Sequence, residues 1–216
     1  GGDIQTLQSG LHELRALDTD EQNIYMIAGD PPQLLSMPKT GGALRTLYPG
    51  AQPPLAFAQN ATELFFGDRE GILRRMPKAG GEVSELGRVP SAERLLLDES
   101  SLWACGYHGL WRLSWERLEH APQAYAAHAP ATAGFMLEGK SGLIGAQHEG
   151  QVLRFNLATG QSQTLFHLKR SIQFLGEAAD KNTLILGDYK GVIEGWDIQK
   201  AKRIWSSAPQ TGAYLL

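Results

Sequence analysis

The sequence predicts an all-β chain built from one four-stranded unit written five times. Three observations carry that prediction. "SMPKTGG" at 36–42 returns as "RMPKAGG" at 75–81. The 25 Gly and 11 Pro among 216 residues mark many turns. Short apolar and alternating runs recur between those turns at even spacing.

The elements follow from the repeat. Residues 24–47 overlay 63–86 without a gap, and further copies fall at 101–124, 142–165 and 183–205, spaced 39, 38, 41 and 41 residues apart. Each unit opens its overlay on a short apolar run ("LFF", "LWA", "LIG", "LIL") and then a polar turn ending in Gly. An alternating run follows, such as Ile72–Met76 or Val152–Phe155, then a second turn (Lys78-Ala79-Gly80-Gly81, Ala158-Thr159-Gly160) and a last alternating strand such as Val83–Leu86. A fourth run precedes each overlay: Leu55–Ala58, Arg94–Leu97, Gly134–Leu137 and Ile172–Leu175. In "MPKxGG", Pro38 and Pro77 end a strand where a lost amide donor does no harm, and the Gly pairs supply left-handed angles to the outer hairpin.

Four strands in about 40 residues make one blade of a β-propeller. The repeats place the blades at 12–48, 53–87, 93–125, 133–167 and 171–206 of a single domain spanning 1–216. The ends, 1–8 and 211–216, read as parts of a shared or incomplete sixth blade. "GGDIQTL" overlays the outermost strand "GGALRTL", and "GAYLL" is similar to an innermost strand such as "GFML".

"KGVIEGWDIQKAKRIW" resembles the WD40 pattern at Lys190-Gly191-Val192-Ile193 and Trp196-Asp197, and "EGQVLRFNLATGQ" is a weaker copy with Phe155-Asn156. The "MPKxGG" units look more like propellers of the YWTD or NHL sort. No unit carries the Gly-His pair of many WD40 repeats. The resemblance therefore implies the fold along nearly the whole chain and carries over no binding residue.

Composition narrows the function classes. A net charge of −3, without basic surplus or charged tail, offers nothing to nucleic acid. No apolar run approaches a membrane span. Cys105 stands alone, so neither an intrachain disulfide nor a cysteine zinc site is available. A lone cysteine tilts the compartment toward the cytoplasm. The N-terminus has neither Met nor a signal pattern and reads as trimmed, which leaves the compartment open.

Candidate binding residues come from the turns between second and third strands, which alternation places on one face of the disc: Asp68, Arg69, Glu70, Tyr107, His108, His148, Glu149, Asp188, Tyr189 and Lys190. Asp30 and Gln147 share that face. Their glycine frame repeats while the tips vary, a pattern suited to recognition, although plain solvated turns produce it too. His108 and His148 sit in separate blades, and no ligand pair recurs at a metal-site spacing, so no metal, cofactor or catalytic set is expected. Trp103, Trp111, Trp115, Trp196 and Trp205 are expected to wedge between blades. The Pro/Ala-rich stretch 116–133 reads either as a divergent outer strand or as an edge that accepts a partner's strand.

The functional expectation is a non-catalytic scaffold that recognises a protein or peptide on the loop face. A second reading is a ligand-sensing or enzymatic propeller in which Arg15, Arg94, Glu138 and Gln173 converge on a polar channel mouth. A third is a fragment of a larger propeller completed by another chain.

Overall fold

The computed structural model describes residues 5–49, 52–90, 92–106, 109–117, 121–126, 134–138, 142–146, 149–178, 180 and 182–207. These form five four-stranded antiparallel sheets, each a simple meander in chain order. Blade 1 holds β1 (Ala16–Thr19), β2 (Asn23–Ala28), β3 (Gln33–Pro38) and β4 (Arg45–Tyr48). Blade 2 holds β5 (Pro54–Gln59), β6 (Glu63–Asp68), β7 (Ile72–Pro77) and β8 (Ser84–Arg88). Blade 3 holds β9 (Arg94–Leu97), β10 (Ser101–Gly106), β11 (Gly109–Ser114) and β12 (Gln123–Ala126). Blade 4 holds β13 (Gly134–Glu138), β14 (Gly142–Ala146), β15 (Gln151–Asn156) and β16 (Ser162–His167). Blade 5 holds β17 (Phe174–Glu177), β18 (Thr183–Gly187), β19 (Ile193–Asp197) and β20 (Lys202–Ser206). The fold is a five-bladed β-propeller.

Second strands show why the chain stacks. β6 is buried from Leu64 to Asp68, because a strand covered on both faces reads as a continuous apolar run. Successive blades share apolar clusters. Tyr25, Ile27 and Leu34 meet Phe57, Leu64 and Phe66. Phe65 and Leu73 meet Leu102 and Trp111. Trp103 and Cys105 meet Leu153 and Phe155. Ile144 and Val152 meet Leu175, Leu184 and Leu186. A fifth cluster covers the other face of blade 1, where Met26, Ala28, Leu35 and Met37 pack under Leu7, Leu11 and Leu14.

The two "MPKxGG" copies behave as their composition requires. Gly41 and Gly80 have φ of 83° and 86° and donate to the carbonyls of Pro38 and Pro77. All five blades share a feature the repeat does not advertise: the register slips by one residue between third and fourth strands. Such a bulge sharpens the twist at the rim of the blade.

Some expectations shift. β17 begins at Phe174 rather than Ile172, because Ile172 is instead buried against the core of blades 4 and 5. Trp103 and Trp111 are buried wedges, and Trp196 stacks on Phe166 of blade 4 at 4.3 Å. Trp115 packs on Phe65 of blade 2 from a single 3-10 turn rather than from a strand. Trp205 is not a wedge: it is exposed, lying over Gly195 on the side of blade 5 that faces away from blade 4. Within 116–133, β12 is the outer strand of blade 3. Of the expected shared blade, residues 5–8 carry no strand, and 1–4 and 211–216 lie outside the described residues.

Candidate functional site

The turns between second and third strands in blades 2 and 5 are built around buried aspartates. Asp68 is fully buried and accepts the backbone N–H groups of Glu70 and Ile72 through Oδ1, while Oδ2 takes Arg74 Nη1. Asp188 repeats the device: Oδ1 accepts from Lys190 and Val192 N–H, and Oδ2 is bound by Arg170 Nη1. An Asp side chain that takes two turn amides fixes the loop locally. In blade 2 the tip is also stapled to its own outgoing connection. Val89 N–H donates to Gly71 O at 2.9 Å, and a Cβ on Gly71, whose φ is 77°, would lie 1.7 Å from Val89 O.

Behind the blade 5 turn lies a charge network. Glu194 occupies in β19 the place that Arg74 occupies in β7, six residues past the turn aspartate. Two carboxylates would then face each other, and Arg170, from the connection entering blade 5, bridges Asp188 and Glu194. Arg203 adds a 2.9 Å pair to Glu194, and Trp196 Nε1 donates to it at 2.9 Å. Burial raises the Glu194 carboxyl, but the Trp196, Arg203 and Arg170 donors outweigh it and leave the group below its ordinary range.

On this frame the predicted tip residues divide. Asp68 and Asp188 hold the turns. Arg69, Glu70, Glu149, Tyr189 and Lys190 stand exposed, with Tyr189 at 77%. Glu70 is steadied by Gln52 Nε2 at 3.0 Å, and its carbonyl accepts Arg88 Nε at 3.0 Å. The Glu149 carbonyl lies 3.1 Å from His167 Nε2. Asp30 is exposed, and Tyr107, His108, Gln147 and His148 lie outside the described residues. Of the set expected at a channel mouth, Arg15 pairs with Glu13, Arg94 donates to the Glu93 carbonyl, and Gln173 donates to Ser171 and the Ile172 carbonyl, while the Glu138 side chain lies outside what the structure describes. Each of these bonds stays within two residues along the chain. Among the described residues, no three His, Cys, Asp or Glu side chains gather where they could hold a metal ion.

Sequence reasoning missed the opposite face. There an Asx turn recurs between first and second strands. Asp20 takes the N–H groups of Gln22 and Asn23, Asn60 those of Thr62 and Glu63, Asp98 that of Ser100, and Asp180 those of Asn182 and Thr183. The signal was available as an Asp or Asn three residues ahead of the second strand in blades 1, 2, 3 and 5. Lys78 of the second "MPKxGG" copy crosses from blade 2 to Asp20 of blade 1 at 2.9 Å, with its Nζ 5.0 Å from the Tyr25 ring. That ammonium, aided by the turn amides and Tyr25, holds the Asp20 carboxyl well below the carboxylate range. Burial and the Asp20 charge push the Tyr25 phenol up to about 12. Asp18, Asp20, Glu21, Gln22, Gln59, Asn60 and Lys78 line a polar groove of about 680 Å³ between these blades.

No protein-family model matches the chain, and no curated protein matches it. Solved structures do. A chain in the crystal structure of a nidogen/laminin complex superposes with a TM-score of 0.76 at 12% identity, covering 91% of this chain and 80% of that one. The WD40 β-propeller domain of Doa1 superposes with a TM-score of 0.73 at 12% identity, covering 93% of this chain and 70% of that one. At such identity the likeness is one of fold, and the chain shares the β-propeller fold with both.

Proposed function

We propose that this protein is a non-catalytic recognition module that holds a protein or peptide partner on the face formed by the turns between second and third strands. The carrying observation is Tyr189, 77% exposed on a turn whose aspartate is buried and pinned by Arg170. An aromatic held outward on a rigid turn offers contact area at little entropic cost, which is how interface anchors act. Lys190 beside it, and Arg69, Glu70 and Glu149 on other blades, supply a mixed-charge rim. That one similar propeller chain was crystallised in a protein–protein complex supports the reading. No helix among the described residues is long and apolar enough to cross a membrane.

The test is to find the partner by cross-linking from position 189 and then measure the purified pair. Tyr189→Ala with Lys190→Ala should weaken binding at least tenfold with little change in thermal midpoint. Asp18→Asn with Glu21→Gln, in the groove on the opposite face, should leave affinity unchanged. Undiminished binding by the Tyr189 and Lys190 variant would sink the proposal.

A further inference from the structure

Among the described residues, nothing packs on one face of blade 5. Alternation sends Leu175, Leu184 and Leu186 toward blade 4. It therefore sends the row Gly176–Ile185–Gly195–Trp205 the other way, and these four residues pair across the sheet. The glycines let aromatic rings lie flat on that face. A Cβ on Gly195 would meet the Trp205 indole at 2.2 Å, and one on Gly176 would meet the Phe174 ring at 2.7 Å. Yet Phe174 is 40% exposed and Trp205 44%. On blade 1, by contrast, Ile27 and Leu34 are fully buried against blade 2.

Blade 1 carries the matching half of the same gap. Lys39 and Lys78 hold equivalent places, since each donates its backbone N–H to a carbonyl in the first-to-second strand turn of its own blade, Gln22 O at 2.8 Å and Thr62 O at 2.9 Å. From that place Lys78 reaches the turn aspartate of the blade before it. Lys39 is exposed, and no carboxylate among the described residues pairs with it. Asp180, the corresponding aspartate of blade 5, is held by Asn182 and Thr183 and not by Lys39. Blades 5 and 1 share no apolar cluster among the described residues, and blade 1 is covered by Leu7, Leu11 and Leu14 instead.

We propose that the outward face of blade 5 is the docking surface for a β-blade of another polypeptide. Its apolar face packs on Phe174, Ile185 and Trp205, and its first-to-second strand turn brings a carboxylate to Lys39. The other four interfaces specify the first requirement, an apolar sheet face, and the interface of blades 1 and 2 specifies the second, an Asx turn on the preceding blade that meets the lysine after the third strand. This surface differs from the Tyr189 face, and a partner on one does not require a partner on the other.

The experiment places a photo-cross-linking residue at position 205 in the full chain inside its native cells and, separately, couples Lys39 to carboxylates with a carbodiimide. One partner should be captured from both positions, with the 205 adduct mapped to a strand and the Lys39 adduct to an Asp or Glu. That partner, purified and added back, should shield Trp205 from acrylamide quenching. Trp205→Arg should weaken the reconstituted complex at least tenfold, and so should Lys39→Glu, at an exposed site where the thermal midpoint should change little. Adducts only between copies of this chain would overturn the proposal, as would different proteins from the two positions. So would a Trp205 already shielded in the purified monomer.

Discussion

Asp20 shows how one side chain joins two blades. Its carboxylate closes a turn of blade 1, accepts Tyr25 OH at 3.0 Å and anchors Lys78 of blade 2. The turn does not need the charge, since Asn60 does the same work in blade 2. Asp20→Asn therefore removes the ion pair while keeping the turn. The folded pKa lies below the ordinary 3.8, so the charge contributes stability above the unfolded value and loses it as pH falls through the range below. We expect the variant to be less stable by about 1 kcal/mol at pH 7, with the gap narrowing below about pH 4. Urea unfolding at pH 7 and pH 3 measures it. An equal gap at both values would show that the ionised carboxylate contributes nothing.

At the level of the turn, glycine is required by space as much as by backbone angle. Gly71 and Gly41 have similar φ, 77° and 83°, but a Cβ meets Val89 O at 1.7 Å in the first and nothing within 4 Å in the second. Gly41→Ala should cost about 1 kcal/mol, the strain of a left-handed residue. Gly71→Ala must also move the connection after β8, and should cost about 3 kcal/mol or more. Thermal or urea unfolding of both decides it, and equal losses would mean that the connection yields freely. The same turns show what was legible in the sequence. Gly71, Gly150 and Gly191 could be read as turn ends because a repeated glycine between strands has one common cause, and the strands around them alternate. The roles of Asp68 and Asp188 could not. A turn aspartate that caps its own amides and one that faces a ligand are written with the same letter, and only burial separates them. Arg170 was invisible for a different reason, since it reaches Glu194 from 24 residues away in sequence, in a connection that the repeat does not cover. The bulges between third and fourth strands escaped because a one-residue slip leaves no compositional trace.

Across the whole molecule, the clusters tie each blade to its sequence neighbours, so stability approximates a chain of nearest-neighbour terms. Interfaces at the middle of such a chain open last, because unfolding a middle blade breaks two interfaces and unfolding an end blade breaks only one. Cys105, the only thiol, reports on one of them. It is fully buried between blades 3 and 4 with Trp103, Leu153 and Phe155. Among the described residues, blade 5 has a packed neighbour on one side only, and opening there would leave Cys105 shielded. We therefore expect a thiol reagent to label Cys105 only through the global transition, with native protection of at least about a thousandfold. The denaturant dependence of labelling should match that of equilibrium unfolding. Labelling with a much weaker dependence would mean that blades 3 and 4 part on their own, and that the stack is weakest at its centre. If the protection holds, blade 5 is the region that opens at lower cost. A partner blade docked on Phe174 and Trp205 should then raise blade 5's stability more than that of the Cys105 interface.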